Sequence, residues 1–484
     1  MGRLIFYGNK PRKKHTGSKT ATKGAARTIY ILYRIGIIGS SPYLILYVKY
    51  AILSEYKSNF TQDRIDVNMN TSVFETMESN VRSYCRSFPT VFTTAKGSIM
   101  TDENGKDYID FFAGAGALNF GHNPDYMIEK IIDYLRNGGI LHSMDMYTPA
   151  KRDFLEYFQE HILKARGLDY KIQFAGPTGT NAVEAAIKLA RKVKNRQNIF
   201  ALMGAFHGMT LGSLALTTDA CSREGAGQAL QNVTHIPAPY MFPGMDTIAY
   251  MERLLTDDHS GVEKPAAFVI ESVQADGGIY AFDTQWLQDV SKLCQRHDIL
   301  LIVDDIQVGC GRTGAFFSFE RAGIVPDMVT LSKSIGGCGM PMALVLFKPE
   351  LDIWEPGQHT GTFRGNQLSL VAGKAGLETI VNTDLLNDVK RREGIMEQFL
   401  RDEIATLDSR ITFRGIGLIW GVDFSAFDQD MTKPLIAACF RNGLIVERVG
   451  RDNAVLKLMP PLVIEDSQLL DGLRILKQSL LEIL

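Results

Sequence analysis

Asp304 and Lys333 are the first residues to read for chemistry. Each closes a short, β-branched apolar run, Ile299–Val303 and Met328–Leu331, of the length expected for buried parallel strands. A charged side chain at the end of such a run does not belong in a core. In an open α/β sheet, ligands bind in the crevice outside the carboxyl ends of the strands. A carboxylate and an amine delivered together to that edge suit pyridoxal phosphate. The amine forms an imine with the cofactor, and the carboxylate keeps the pyridine nitrogen protonated so that the ring acts as an electron sink. An ordinary ion pair is the plainer reading of the same two residues, and spacing alone leaves both open.

A second motif lies upstream. The turn Gly176-Pro177-Thr178-Gly179-Thr180 opens into an expected helix, Asn181–Lys192, with Val183, Ala186, Ile187 and Ala190 on one face. The free N–H groups and dipole of such an N-terminus make an anion site, here assigned to a cofactor phosphate on Gly179 and Thr180. A plain helix cap would use the same residues.

The run Asp304-Asp305-Ile306-Gln307-Val308-Gly309-Cys310-Gly311-Arg312-Thr313-Gly314, followed by Ser332-Lys333, resembles the signature of class III pyridoxal-phosphate aminotransferases. Met77–Phe92, Asp110–Asn123, Gly176–Arg191 and Gly361–Asn366 are similar to blocks of the ectoine-type diaminobutyrate–2-oxoglutarate branch, in the expected order. The resemblance covers Met69 to the C-terminus. It implies an α/β, fold-type I enzyme, whose large domain has a mainly parallel sheet flanked by helices beside a smaller α+β domain.

The resemblance also implies roles for individual residues. Lys333 is the catalytic lysine, Asp304 faces the ring nitrogen, and Gln307 faces the ring hydroxyl. Phe206 and Ile306 pack on opposite ring faces, with His207 and Glu271 among the cofactor contacts. Thr362 reaches the phosphate of a neighbouring subunit, which implies a homodimer or dimer of dimers with shared active sites. Arg364 and Lys457 are candidates for a substrate carboxylate. The implied reaction moves the amino group of L-glutamate to aspartate 4-semialdehyde, giving L-2,4-diaminobutyrate and 2-oxoglutarate for ectoine, siderophore or peptide synthesis. Another ω-amine reaction, on ornithine, 4-aminobutyrate or a diamine, is the nearest alternative. A non-catalytic membrane-tethered scaffold is the alternative of another kind.

Three positions depart from the family pattern. Met209 stands where many ω-amine enzymes carry a carboxylate-binding arginine. Ala275-Asp276 replaces a usual Gly-Glu, and Lys457 replaces a usual arginine.

Composition is that of a soluble globular protein, with 45% hydrophobic and 22% charged residues in a 484-residue chain. The net charge of −2 hides a split. Residues 1–68 hold 12 of the 52 Lys+Arg and 3 of the 54 Asp+Glu; the other 40 basic and 51 acidic residues leave the body at −11. A body of that sign gives no reason to expect nucleic-acid binding. The six cysteines form no CxxC pair, so neither a disulfide framework nor a zinc site follows, and they read as buried or semi-buried thiols of a cytoplasmic protein.

Four segments are expected. Residues 1–68 are a basic and apolar extension outside the resemblance, read as untranslated or disordered, with membrane contact only if it is real. Its apolar stretch Ile35–Val48 is short and broken by Gly36, Gly39 and Pro42. Residues 69–125 begin the small domain, 126–380 form the large cofactor domain, and 381–484 complete the small one. Gly97–Asp110 reads as a hairpin turning at Asn104-Gly105. The glycine-rich stretch Ala113–Asn123 is expected beside a ligand or a partner subunit. Arg414–Gly417 is expected as a turn.

Overall fold

The computed structural model describes residues 71–484. The extension assigned to 1–68, its expected membrane contact and Met69 lie outside the described residues.

The large sheet has seven strands: β1 (Lys171–Phe174), β2 (Ile199–Leu202), β3 (Val233–Ile236), β4 (Ala267–Ile270), β5 (Leu300–Asp304), β6 (Met328–Leu331) and β7 (Leu344–Phe347). Their order across the sheet is β1-β7-β6-β5-β4-β2-β3, and only β7 runs antiparallel to its neighbours. Alternate residues enter opposite cores, as the two-residue period of a strand requires. Leu301, Val303, Phe268 and Ile270 face one cluster; Leu300, Ile302, Ala267 and Val269 face the other. With both faces buried, these strands read as continuous apolar runs.

Three helices matter for the site: α1 (Gly179–Lys194), α2 (Thr284–Arg296) and α3 (Gln367–Asn382). Helix α1 begins two residues before the expected Asn181, so Gly179 and Thr180 form its first turn. Helix α2 begins at Thr284, because the Asp283 carboxylate accepts from the backbone N–H groups of Gln285 and Trp286. Strand β5 is displaced by one residue from the expected run, which makes Asp304 its last member, in register with Thr330 of β6.

The two ends of the described chain build one sheet together. Phe92–Lys96, Ile99–Asp102 and Asp107–Asp110 form a meander, and Leu444–Ile445 runs parallel beside its last strand. The expected hairpin is present, but only Gly105 takes a positive φ (75°); Asn104 does not. The Asp102 carboxylate holds the turn by accepting from Asn104 N (2.9 Å) and Lys106 N (3.0 Å). A second sheet contains Thr412–Ile416, Ile419–Asp423, Glu447–Val449 and Val455–Leu458.

Arg414–Ile416 therefore lies in a strand, correcting the expected turn, which is confined to Gly417 and Leu418. A Cβ on Gly417 would lie 2.2 Å from the Arg312 carbonyl oxygen, so no other residue fits there. Arg312 is fully buried. Its guanidinium donates to the carbonyls of Leu418 and Pro460 and to Asn119 Oδ1, joining three distant segments behind the sheet edge. Burial lowers its pKa to about 9, since its hydrogen-bond partners are all neutral.

The cysteine expectation holds for Cys294, Cys310, Cys338 and Cys439. It is corrected at Cys85 and Cys221, which are exposed. Both lie on one-turn helices at the surface, where short elements have no core face to offer.

Candidate active site

Strands β2, β4, β5 and β6 all end at one edge of the large sheet, and the segments that follow them enclose a cavity of about 170 Å³. Gly179, Thr180, Phe206, His207, Glu271, Asp304, Ile306, Gln307 and Lys333 all line it, joined by Gly208, Val273, Asp276 and Val308. Residues up to 154 positions apart in sequence meet there because parallel strands deliver their carboxyl ends to the same side.

Asp304 is the fixed point of the floor. One carboxylate oxygen lies 2.7 Å from His207 Nδ1; the other accepts from Thr330 Oγ1 (3.0 Å) and Ile306 N (3.2 Å). Burial opposes a charge on His207, but the hydrogen bond and the charge of Asp304 prevail and raise its pKa. An imidazolium so held orients the carboxylate that faces the cavity. Glu271 is buried nearby and accepts from Phe206 N (3.2 Å) and Ala275 N (3.3 Å). Burial raises it to about 8, aided by Asp304 and Asp276 and opposed by His207, so it is mostly protonated at neutral pH.

Lys333 follows β6 with a positive φ of 53°. Holding a non-glycine residue in that region costs about 1–3 kcal/mol, which the surrounding packing must offset. Burial lowers the lysine's pKa against the opposing pull of Asp276. A larger neutral fraction makes the amine a better nucleophile. The glycine-rich loop lies beside the floor. Ala113, Gly114, Ala115 and Gly116 all take positive φ. Gly116 accepts from Ser334 Oγ (2.6 Å) and packs against Gln307.

The helix end fits an anion. Thr178, at the N-cap of α1, makes no side-chain cap bond. The Thr180 hydroxyl is tied to Thr210 Oγ1 (2.7 Å) and Ser213 Oγ (2.5 Å). Gly208 passes so close that a Cβ would lie 2.4 Å from Thr180 Oγ1. A phosphate would meet backbone N–H groups and hydroxyls here, and the sheet edge supplies an amine and a carboxylate. That donor set fits pyridoxal phosphate.

Three of the expected residues do not line this cavity. Thr362 is exposed on a turn. Arg364 donates to the His359 carbonyl (3.1 Å) and pairs with Asp145. Lys457 sits behind the wall, fully buried, with its amine 3.0 Å from Asp276 Oδ1, 2.7 Å from Glu447 Oε2 and 3.3 Å from Gln307 Oε1. Asp276 and Glu447 raise the pKa of Lys457 despite its burial, and Lys457 in turn holds Asp276 below the usual carboxylate range. Sequence reasoning missed Thr330 and Glu447. A threonine inside the apolar run MVTL was a signal; Glu447 gave none, because it belongs to no motif.

Residues 82–480 match the family described as Aminotransferase class-III. The chain is a class III aminotransferase. It is 51% identical over 417 residues to the diaminobutyrate–2-oxoglutarate transaminase of Streptomyces coelicolor, covering 85% of this chain and 98% of that one. The enzyme of the same description from Nocardia farcinica is 50% identical over 414 residues, covering 85% and 94%. Among solved structures, the acetylornithine aminotransferase of Elizabethkingia anophelis superposes with a TM-score of 0.70 at 26% identity, covering 85% of this chain and 98% of that chain. The ornithine aminotransferase of Toxoplasma gondii gives 0.76 at 23% identity, covering 89% and 98%, and corroborates the fold. Pyridoxal phosphate, the cofactor of class III aminotransferases, thus agrees with the donor set at the sheet edge.

Proposed function

We propose that this aminotransferase takes the amino group of L-glutamate and delivers it to aspartate 4-semialdehyde, forming L-2,4-diaminobutyrate and 2-oxoglutarate. The observation that carries this reading is the near-50% identity, over almost their whole length, to relatives described as diaminobutyrate–2-oxoglutarate transaminases. Met209 supports it against other ω-amine reactions, because an exposed thioether cannot grip a carboxylate as an arginine fork does.

Bound pyridoxal phosphate supplies an electrophilic carbon and an electron sink. Lys333 Nζ would anchor the cofactor and, as a free amine, would remove the proton from the amine-bearing carbon of the donor and, in the other half-reaction, deliver one to the corresponding carbon of the acceptor, a general acid–base role suited to an amine of lowered pKa. The Asp304 carboxylate, oriented by His207 and Thr330, would accept a hydrogen bond from the ring N–H. Gly179 and Thr180 would bind the phosphate. Phe206 and Ile306 would hold the ring between them, and Gln307 would meet its hydroxyl. Lys457 is the cation for a substrate carboxylate.

The working unit is a homodimer or dimer of dimers in which Thr362 and Arg364 serve the neighbouring site. The exposure of Phe363 (63%) beside them, and of Tyr147 (100%), supports a covering subunit. The pairing of Leu444–Ile445 with Asp107–Asp110 supports treating 69–125 and 381–484 as one small domain around the large domain at 126–380. Among the described residues no helix is long and apolar enough to cross a membrane.

The test is an absorbance spectrum of the purified protein before and after L-glutamate, with Lys333→Ala alongside, followed by product analysis with aspartate 4-semialdehyde. The visible band of the bound cofactor should bleach with glutamate in the wild type and return on adding the semialdehyde, with diaminobutyrate formed. In Lys333→Ala, turnover should fall by about 10³-fold or more. A band that glutamate bleaches but the semialdehyde does not restore would sink the choice of acceptor.

A further inference from the structure

Lys457 is the charged partner of two carboxylates, Asp276 at 3.0 Å and Glu447 at 2.7 Å. One positive charge held between two negative ones leaves the group with a net charge of −1. Exposure is divided just as unevenly. The Lys457 side chain is 1% exposed, whereas Asp276 and Glu447 keep 34% and 15%. Asp276 lines the cavity, and Glu447 accepts from the hydroxyl of Tyr84 (3.2 Å), itself half exposed. An entering molecule therefore meets the Asp276 carboxylate first, with Lys457 and then Glu447 behind it. The charges of Asp276 and Glu447 both act on Lys333, so the group lies within electrostatic reach of the reacting amine.

That arrangement is ill-suited to a substrate bearing only a carboxylate and well suited to one bearing an ammonium as well. L-2,4-Diaminobutyrate carries both on its α-carbon, remote from the amine that is transferred. We propose that Glu447 is a specificity-determining residue that receives the α-ammonium of the diamino acid, with Asp276 beside it, while Lys457 turns to the α-carboxylate. The ammonium then takes the place beside Glu447 that Lys457 leaves, so each cation keeps a carboxylate partner when the lysine turns to the α-carboxylate. L-Glutamate reacts through its α-amine, which leaves no ammonium for Glu447, so for this donor Glu447 only competes for Lys457. The inference rests on the proposed function, since it presumes a diamino product.

The comparison substrate is 4-aminobutyrate, which keeps the carboxylate and the reacting amine of diaminobutyrate and lacks only the α-ammonium. With 2-oxoglutarate as acceptor, the ratio of kcat/KM for diaminobutyrate over 4-aminobutyrate should fall in Glu447→Gln by about tenfold or more, the lower end for a charge-assisted hydrogen bond. Glutamine keeps the size of the side chain and its bond to Tyr84. In the same variant the Kd for diaminobutyrate, read from the cofactor absorbance, should rise while the KM for L-glutamate falls, because Lys457 has lost a competitor. A merely structural defect would move both constants the same way. Should Glu447→Gln fail to fold, Glu447→Asp carries the same prediction with a smaller amplitude. An unchanged ratio in a folded variant, or a parallel loss on all three amines, overturns the role of Glu447. A wild-type enzyme that does not use diaminobutyrate overturns the proposed function itself, which separates the two failures.

Discussion

The floor and the rim of the cavity are built on opposite principles. At the floor, Asp304, His207 and Thr330 come from strand ends or the residues just beyond them. They are buried, and the Asp304 carboxylate is fixed from both sides. At the rim, Asp276 lines the cavity and Lys457, Glu447 and Tyr84 stand behind it, on four separate segments in all, with unbalanced charge and with exposure kept on the carboxylates. The floor suits a step shared by every reaction of the family, because rigid neighbours minimise reorganisation as charge develops. The rim suits choice between substrates, since alternative ion pairs let one cation or one carboxylate change partners.

Breaking the floor should cost most. Asp304→Asn removes the charge that His207 faces and that the proposed mechanism sets against the ring nitrogen, and kcat should fall by about 10²–10³-fold, the magnitude for one lost electrostatic partner of a transition state. Single-turnover kinetics with L-glutamate checks it. A fall confined to KM would mean that Asp304 acts only in binding. At the rim, Lys457→Met should raise the KM for L-glutamate by about 10- to 100-fold, as expected for a lost ion pair of about 1.5–3 kcal/mol. If kcat fell equally with KM unchanged, the lysine would belong functionally with the floor.

The smallest expected effect is a pH dependence of stability, and it again sets the floor apart. The folded pKa of Glu271, raised by burial from 4.5 to about 8, exceeds its unfolded value. Stability from this group is therefore fully present below about pH 4.5 and is lost as pH rises through about 8. In cofactor-stripped protein, Glu271→Gln should show less loss of melting temperature than wild type between those values. Parallel melting curves across that range would place the carboxyl in a wetter environment.

The legibility of the two regions in the sequence differed for the same reason. Asp304 and Lys333 could be found because each ends a β-branched run, and runs of that kind go to a buried parallel sheet almost regardless of context. The start of α1 at Gly179 and Thr180 was nearly readable because a glycine-bearing turn before an amphipathic helix is a local pattern. Boundaries moved by one or two residues, as at the start of α1 and along β5. The hairpin turn depended on the Asp102 carboxylate as well as on Gly105, and Arg414–Ile416 joined a strand while the turn stayed at Gly417, where only glycine could approach Arg312.

The sequence by itself pointed to the family through its ordered motifs, and to the sheet edge that carries Asp304 and Lys333 through short-range patterns that encode strand burial and helix starts. Only the tertiary structure decided that Lys457 is shared between Asp276 and Glu447, and that Thr362 and Arg364 stay out of their own chain's cavity. Those facts follow from how segments 171 residues apart, such as those of Asp276 and Glu447, are folded against one another. Long-range pairing of that kind has no period or spacing in the chain from which to read it.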